Sequence, residues 1–264
     1  MNQDIDIIQR VYELKNKIYN PRLQSAFEST ICFFENHDKK IVSAAGCGLF
    51  LKYKDYYYVV TAAHVLAEYH SDTFVILADK KLVLGGRLVS TPLPDSGKRK
   101  VDKIDISILK LCETSTEELL KNFRPIPEDE IELNHKPDQY TTYFSVGFPQ
   151  TRTGKVWGED RIKSIGFTYQ SVPCSDFDYK KYGFSEKTTI PLKFDGEVIN
   201  AKNPNPHLAP KLEGVSGSGL WHFFGNDQKS LIGVTIERIY DERNKVLVAT
   251  KIDIVIGMIN KMNK

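Results

Sequence analysis

Apolar residues near the start of the chain recur at intervals of three and four positions. Ile7, Val11, Leu14 and Ile18 follow this spacing between charged neighbours, and Pro21 comes after them. This spacing places apolar side chains on one face of a helix, and proline interrupts a helix that precedes it. The pattern predicts an amphipathic packing helix that ends near Pro21.

A similar spacing closes the sequence. Ile256, Ile259 and Met262 share one helical face, and Asp253 precedes them. An aspartate at this position can cap the first turn of a helix. We therefore expect a second helix at residues 253–264.

Between these helices, short runs rich in Val, Ile, Tyr, Phe and Thr alternate with turn-forming segments, a pattern typical of β-strands. The runs fall into two groups on either side of the polar stretch 113–139: residues 48–51, 56–62, 74–77 and 104–111, and residues 143–148, 165–169, 220–224, 231–238 and 246–252. The sequence thus predicts a single all-β module. It has an N-terminal helical segment (1–24), an N-terminal lobe (25–135), a C-terminal lobe (136–252) and the closing helix.

Charge narrows the choice of partners. The 36 basic and 34 acidic side chains give a net charge of +2 and are spread along the chain, which does not favour nucleic-acid binding. The longest basic cluster lies at residues 98–103 in a stretch rich in Pro, Gly and Ser, so we interpret it as a solvated loop.

Targeting signals and cysteine usage point to the cytoplasm. No run approaches the roughly 18 apolar residues that cross a bilayer, and the N-terminus lacks the apolar core of a signal peptide. Cys32, Cys47, Cys112 and Cys174 match neither a disulfide framework nor a zinc motif. We expect reduced thiols, no membrane partner and a cytoplasmic protein.

A glycine-rich segment around Ser216 is a candidate catalytic turn. The sequence Gly214-Val215-Ser216-Gly217-Ser218-Gly219 precedes an apolar run. Glycines permit unusual backbone angles and close approach of a carbonyl, and the turn can direct the N–H groups of Gly214 and Ser216 toward one point. Acyl transfer by a serine also requires a base and a group that orients it.

His64 and Asp105 are the candidates for these two roles. His64 follows the apolar run Val59-Val60-Thr61-Ala62-Ala63, and Asp105 opens the alternating segment Asp105-Ile106-Ser107-Ile108-Leu109. A structural histidine bonded to backbone and a carboxylate that caps a turn are the alternatives. Asp102 is a nearby competitor for Asp105, but it lies outside the apolar run.

These three segments resemble the motifs of trypsin-like serine peptidases, in the family order His, Asp, Ser. The intervals are 105 − 64 = 41 and 216 − 105 = 111 residues, and the second implies insertions in the C-terminal lobe. Segments 46–49, 147–149 and 232–234 are similar to further landmarks of bacterial members, so the resemblance covers roughly residues 40–255.

The resemblance implies two six-stranded antiparallel β-barrels of the chymotrypsin type and a serine endopeptidase that cleaves protein or peptide substrates. Ser216 would be the nucleophile, His64 the general base and Asp105 the group that orients His64, with the Gly214 and Ser216 amides forming the oxyanion hole. No metal or organic cofactor is implied.

The chain also departs from secreted relatives. Val65 and Cys47 do not provide the disulfide that braces the histidine loop there, so the resemblance is to bacterial or intracellular branches. Val215 occupies the place of the aspartate that pairs with a new N-terminus in zymogen activation. We therefore expect that the intact chain is competent, or is gated by a partner, substrate or loop within the insertion 151–213, with residues 176–184 as candidates.

Substrate preference rests on two positions. The resemblance implies that Pro210, six residues before the nucleophile, forms the floor of the primary pocket, and proline cannot pair with Lys or Arg. Thr235 stands where glutamate-specific relatives carry a histidine. Both favour small or apolar residues over charged ones.

Three alternatives stay open. The first is a catalytically silent, protease-like binding or regulatory module, since one fold hosts many functions. An esterase elbow, Gly-x-Ser-x-Gly, would need glycine at position 218, where the chain has serine. Ser218 is the rival nucleophile, but the residue two before it is Ser216 rather than glycine.

Overall fold

A computed structural model describes residues 22–37, 41–66, 73–77, 80–138, 141–155, 162–194, 197–200, 203–225, 228–240 and 245–264. The helix predicted over residues 7–18 lies outside these ranges. Residues 22–28 form a helix, α1, which follows Pro21 and was not predicted. Proline lacks an N–H that the first turn does not use, so it can precede a helix as well as end one.

The first half of the chain forms a seven-stranded antiparallel sheet in the order β5-β4-β1-β2-β3-β7-β6. Its strands are β1 (Thr30–His37), β2 (Ile41–Tyr53), β3 (Tyr56–Ala62), β4 (Thr73–Leu77), β5 (Lys80–Leu82), β6 (Gly86–Ser90) and β7 (Ile106–Leu111). The short helix α2 (Ala63–Leu66) follows β3 directly. Apolar side chains of these strands fill the core of the lobe, where Ile31, Leu49 and Ile108 are fully buried.

The second half forms a six-stranded antiparallel sheet in the order β11-β8-β15-β16-β17-β12. This half also contains two further hairpins and three α-helices. The strands and α-helices from residue 113 onward are α3 (Glu113–Leu120), β8 (Tyr143–Gly147), β9 (Thr153–Lys155), β10 (Ile162–Ser164), β11 (Phe167–Ser171), α4 (Tyr179–Tyr182), β12 (Thr189–Lys193), β13 (Glu197–Asn200), β14 (Asn203–Leu208), β15 (Gly219–Phe224), β16 (Gln228–Tyr240), β17 (Lys245–Lys251) and α5 (Ile252–Met262).

These two antiparallel sheets confirm the predicted all-β class; the second sheet has six strands, as predicted, and the first has seven. The terminal helix is also confirmed, but its capping was predicted wrongly. Lys251, not Asp253, is the N-cap residue, and Asp253 lies in the first turn. The Oδ1 atom of Asp253 instead accepts the backbone N–H of Asn134 at 2.8 Å.

Helix α5 follows the last strand of the C-terminal sheet but bonds to the N-terminal lobe. The amide of Asn263 donates to the hydroxyl of Tyr58 at 2.7 Å and accepts from Lys110 Nζ at 2.9 Å. Ile252, Val255 and Ile259 are fully buried. Burial of each such side chain contributes about 1.5–3 kcal/mol, so α5 fastens the lobes together.

None of the helices in the described ranges is both long and apolar enough to cross a bilayer.

Candidate active site

His64 and Asp105 meet where two neighbouring strands exchange hydrogen bonds. β3 and β7 pair with Ala62 opposite Ile106, which brings His64 just beyond the end of β3 and Asp105 just before the start of β7. The backbone N–H of Ala63 donates to the Asp105 carbonyl at 2.8 Å. The pairing register of the N-terminal sheet thus sets the position of both residues.

The Asp105 carboxylate holds the histidine at two points. Its Oδ1 accepts the backbone N–H of His64 at 2.9 Å, and its Oδ2 lies 2.5 Å from His64 Nδ1. The Asp105 side chain is 5% exposed whereas that of His64 is 38% exposed. The arrangement therefore fixes Nδ1 inside the protein and leaves the imidazole accessible to solvent.

Asp102 has other partners. Its Oδ2 accepts from the Thr91 hydroxyl at 2.6 Å and from Arg99 at 3.0 Å, and its Oδ1 accepts the Ile104 N–H at 3.0 Å. Burial acts to raise the pKa of Asp102, but these hydrogen bonds outweigh it and lower the pKa. Of the two competing aspartates, Asp105 is the one in contact with His64.

The turn around Ser216 requires glycine on both sides. Gly214 and Gly217 have φ angles of +86° and +87°, a region that L-residues rarely adopt. A Cβ atom at Gly214 would lie 2.8 Å from the backbone nitrogen of Gln150, and one at Gly217 would lie 2.0 Å from the Cys47 carbonyl oxygen. The Ser216 carbonyl in turn accepts the Cys47 N–H at 2.7 Å, so this turn is docked on β2 of the other lobe.

Some of the amide groups in this turn donate to backbone carbonyls and others do not. The N–H groups of Val215, Gly217 and Ser218 donate to backbone carbonyls at 2.7–3.0 Å. Those of Gly214 and Ser216 donate to no group within the ranges that the structure describes. The Glu213 carbonyl accepts from Gln150 at 2.7 Å, and because a trans peptide directs C=O and N–H to opposite sides, the Gly214 N–H points away from Gln150.

The Ser216 hydroxyl faces the same cavity as His64. Its Oγ donates to the Ile236 carbonyl at 3.4 Å, a long hydrogen bond, and no contact with His64 occurs among the described residues. His64, Asp105 and Ser216 all line one cavity of about 350 Å³. The fold therefore brings the three predicted residues to one site, where the serine hydroxyl bonds to Ile236 and not to the imidazole.

The walls of this cavity combine an apolar surface with paired charges. Leu212, Val215, Ile236 and Leu247 provide the apolar part. The charged wall residues all have partners: Arg99 with Asp102 at 3.0 Å, Arg238 with Glu213 at 2.5 Å, and Glu237 with Lys103 at 3.1 Å. The described wall therefore offers no unpaired charge to a ligand. Sequence motifs did not identify Leu212, Ile236, Arg238 or Leu247, because no local pattern marks a cavity wall.

Of the two residues predicted to form the pocket, Thr235 lines the cavity and Pro210 is not among its lining residues. The Pro210 carbonyl accepts from the Tyr169 hydroxyl at 3.1 Å. Thr235 is 2% exposed, and its hydroxyl lies 3.0 Å from that of Ser145, which lies 3.0 Å from the hydroxyl of Ser218. Ser218, at 0% exposure, is thus part of a buried hydroxyl chain.

Cys47 supports the serine turn in a way that its sequence motif did not suggest. Its Sγ donates to the Gly214 carbonyl at 3.1 Å and accepts the Phe148 N–H at 3.3 Å. Burial raises the pKa of the thiol to about 12, against a small lowering by the Phe148 bond. The thiol therefore keeps its proton at neutral pH and holds the peptide between Gly214 and Val215, directly after the Gly214 N–H.

Comparison with solved structures identifies the architecture. One similar structure is neuropsin, a serine protease expressed in the limbic system of mouse brain, with a TM-score of 0.57 and 13% identity over 90% of this chain and 95% of that one. The fold is chymotrypsin-like. A scabies mite inactivated protease paralogue is similar too, with a TM-score of 0.53 and 15% identity over the same shares of the two chains.

Sequence comparison adds no relative. No protein-family model matches the chain, and no curated protein sequence matches it.

Proposed function

We propose that the chain is a serine endopeptidase. Ser216 Oγ attacks the carbonyl carbon of a peptide bond while His64 Nε2 takes its proton, and the N–H groups of Gly214 and Ser216 bind the resulting oxyanion. The C–N bond then breaks as the imidazolium protonates the leaving amine. Water repeats the sequence on the acyl-enzyme and releases the acid, so neither a metal nor an organic cofactor is required.

The contact of Asp105 with His64 Nδ1, beside a cavity that also contains Ser216, is the observation that carries this proposal. A carboxylate bound to Nδ1 keeps the proton there and leaves Nε2 free to accept another. The two unpaired amides at Gly214 and Ser216 supply the second requirement, donors that are available before the oxyanion forms.

Paired charges support a preference for uncharged side chains next to the cleaved bond. A Lys or Arg side chain would need a free carboxylate, and an acidic one a free cation, yet Glu213, Glu237 and Arg238 already neutralise their neighbours. Small or apolar residues would instead contact Leu212, Val215 and Leu247. A peptide-library profile dominated by cleavage after Lys, Arg or Glu would contradict this preference.

The proposal includes regulation through residues 176–184, by a loop rearrangement or a partner protein. Within this segment, Phe177 stacks on Tyr182 with centroids 5.3 Å apart, and Lys103 Nζ lies 4.4 Å from the Phe184 ring centroid. Lys103 also pairs with Glu237 of the cavity wall. Movement of the segment would therefore reach the site through Lys103.

A catalytically silent, protease-like binding module is the second candidate. The observation in its favour is the Ser216 hydroxyl, which bonds to the Ile236 carbonyl rather than to His64. Catalysis requires rotation of this side chain, and the 3.4 Å bond is long enough to be exchanged for one to Nε2.

Labelling with a fluorophosphonate probe tests the proposal, since an activated serine displaces fluoride from phosphorus. We expect the intact protein to be labelled, Ser218→Ala to keep most of the labelling, and Ser216→Ala and His64→Ala to lose it. Peptide hydrolysis should fall about 10⁴-fold or more in Ser216→Ala if the three residues act as a unit. Folded wild-type protein that is never labelled would favour the binding module, and loss only in Ser218→Ala would reassign the nucleophile.

A further inference from the structure

Two neighbouring residues of the segment between the lobes, Glu132 and His135, meet a distant histidine, His222. Glu132 Oε1 lies 2.6 Å from His135 Nδ1, and Glu132 Oε2 lies 3.0 Å from His222 Nδ1. The two imidazole rings are neighbours, with centroids 4.6 Å apart. One donor atom from each of the three residues lies within 4.8 Å of the others.

Backbone pairing explains the meeting. The segment between the lobes runs beside β16, where Ile131 forms a parallel bridge with Leu231 and the Glu132 N–H donates to the Leu231 carbonyl at 3.1 Å. β15 pairs with β16 so that His222 lies opposite Ser230. The bridge therefore places Glu132 next to His222, 90 residues further along the chain.

The three side chains suit a metal ion because a hydrogen-bonding proton already lies between Glu132 and each histidine, where the ion would bind. A carboxylate only accepts hydrogen bonds, so each contact with Glu132 requires a proton on the imidazole Nδ1. A shift of each ring proton from Nδ1 to Nε2 would free the two Nδ1 atoms to bind an ion beside a carboxylate oxygen of Glu132.

The surroundings of His135 match those of a metal-bound histidine. Its Nε2 lies 2.9 Å from the Tyr143 hydroxyl, which also accepts the Asp138 N–H at 3.1 Å. A histidine that binds metal through one nitrogen usually donates the other N–H to a fixed acceptor, which sets its tautomer. The side chain of His135 is 7% exposed, so this partner also fixes its orientation.

We propose that Glu132, His135 and His222 bind a divalent transition-metal ion, with Zn²⁺ as the preferred ion. Two imidazoles and one carboxylate are a common zinc set, and a solvent molecule would complete the tetrahedron. Tetrahedral ligands with bonds of about 2.0 Å lie about 3.3 Å apart. The contacts of 2.6 and 3.0 Å must therefore open by about 0.7 and 0.3 Å, and the remaining pair of donor atoms, which lies within 4.8 Å, must come to the same separation. The Glu132 and His222 side chains are partly exposed, which gives the ion a path from solvent.

The ion would join the segment between the lobes to the β15–β16 hairpin. None of its three ligands lines the cavity that contains Ser216, so the proposal is independent of the proposed peptidase activity. The sequence predicted no metal because residues 132, 135 and 222 lack the spacing of a linear zinc motif.

The test uses Zn²⁺ and Co²⁺ alone with the full chain in a Cys112→Ser background, which removes the exposed thiol. We expect one Zn²⁺ per chain in equilibrium dialysis and visible absorption bands of tetrahedral Co²⁺. Free Zn²⁺ at 100 times its Kd should raise the melting temperature by about 5–10 °C.

Two variants remove single ligands. Glu132→Gln keeps the size of the side chain but replaces one ligand oxygen by an NH₂ group, and His222→Asn removes the imidazole ring but keeps a polar atom near the position of Nδ1. Each should weaken Zn²⁺ binding by at least about 100-fold, since loss of even an outer partner weakens binding by about 10–100-fold. Tyr143→Phe should show that smaller loss without removing the absorption bands. His64→Ala is the matched histidine control and should bind Zn²⁺ like the parent.

Two results would overturn the proposal. The first is a folded parent protein without tetrahedral Co²⁺ bands or stoichiometric Zn²⁺. The second is binding that His64→Ala abolishes and Glu132→Gln leaves intact, because the ion would then occupy the candidate active site.

Discussion

At the residue scale, Asp105 has a backbone conformation that few L-residues adopt. Its φ angle is +49°, in the left-handed region where aspartate and asparagine are enriched. This conformation accompanies the two contacts of the carboxylate with the backbone and ring of His64. Any substitution that tests its role must therefore tolerate the same φ angle, which asparagine does.

Asp105→Asn should abolish most activity without unfolding the protein. The amide oxygen can still accept the His64 N–H, but the NH₂ group then faces Nδ1 and forces the ring proton onto Nε2, which cannot take the serine proton. We expect kcat for a peptide substrate to fall about 10⁴-fold, with a small change in melting temperature.

Asp102→Asn is the control for this prediction, since Asp102 contacts Thr91 and Arg99 instead of the histidine. It should lower kcat by less than about tenfold. Equal losses in the two variants would show that Asp105 has no special part in catalysis.

The buried thiol of Cys47 should make the protein less stable in alkali. Burial raises its pKa from 9.0 to about 12 in the folded state. The folded state therefore holds a proton that the unfolded state releases, and the free energy of unfolding falls by about 1.4 kcal/mol per pH unit between these two values. Below pH 9 the contribution is fully present.

Urea unfolding between pH 9 and pH 11 measures this effect. Cys47→Ala should have a shallower pH dependence than the wild type by about that slope. Cys112→Ala removes an exposed thiol whose pKa the Ser115 hydrogen bonds lower, so it should not make the pH dependence shallower. Identical slopes in wild type and Cys47→Ala would contradict the assignment.

At the element scale, the serine turn leaves no room for a side chain at Gly217. A Cβ there would lie 2.0 Å from the Cys47 carbonyl oxygen and 2.3 Å from Thr61 Oγ1. Gly217→Ala should therefore separate the turn from β2 and lower the free energy of unfolding by at least about 2 kcal/mol, with loss of probe labelling.

Gly257 in α5 provides the matched control. A Cβ there meets no atom within 4 Å, and φ is not positive. Gly257→Ala should raise the free energy of unfolding by about 0.5–1 kcal/mol, because alanine is the better helix former. Denaturant midpoints of both variants check the pair, and a stable, labelled Gly217→Ala would contradict the role of the turn.

Local patterns predicted some elements well and others not at all. β3 has the bounds predicted from its apolar run, residues 56–62. β12 was missed because Pro191 interrupts its pattern, although proline is tolerated in an edge strand, the position that β12 occupies. The segments around His64 and Ser216 could be identified because each is a continuous motif. The cavity walls and the cluster at Glu132 depend on strand pairing between distant segments, which no local pattern contains.

At the scale of the whole molecule, the fold alone does not decide activity. The chain resembles one structure described as a protease and another described as an inactivated paralogue to a similar extent, with TM-scores of 0.57 and 0.53. The decision rests on the few side chains that line the cavity. One of these side chains, that of Val215, is 1% exposed and packs in an apolar cluster with Leu212 and Leu220.

We expect the intact chain to react with the probe without cleavage near residues 20–40. Activation through a new N-terminus needs an acidic partner for the buried ammonium, and Val215 offers none, so an unpaired charge there would cost several kcal/mol. Labelling rates of uncleaved protein and of protein nicked in that segment should agree. Strict dependence on the nick, with a new amino group buried against an acidic residue, would show that an activation switch exists.

Because the serine turn docks on Cys47, the site can form only after Ser216 has been synthesised. Residue 216 is synthesised 216 − 105 = 111 residues after Asp105, which takes a ribosome roughly 5–20 s. During this interval the nascent chain carries His64 and Asp105 but no serine turn. The proposed activity is therefore absent throughout the synthesis of the first lobe. It begins only when the Ser216 carbonyl accepts the Cys47 N–H. The order of synthesis thus keeps the growing chain from being cleaved by its own active site.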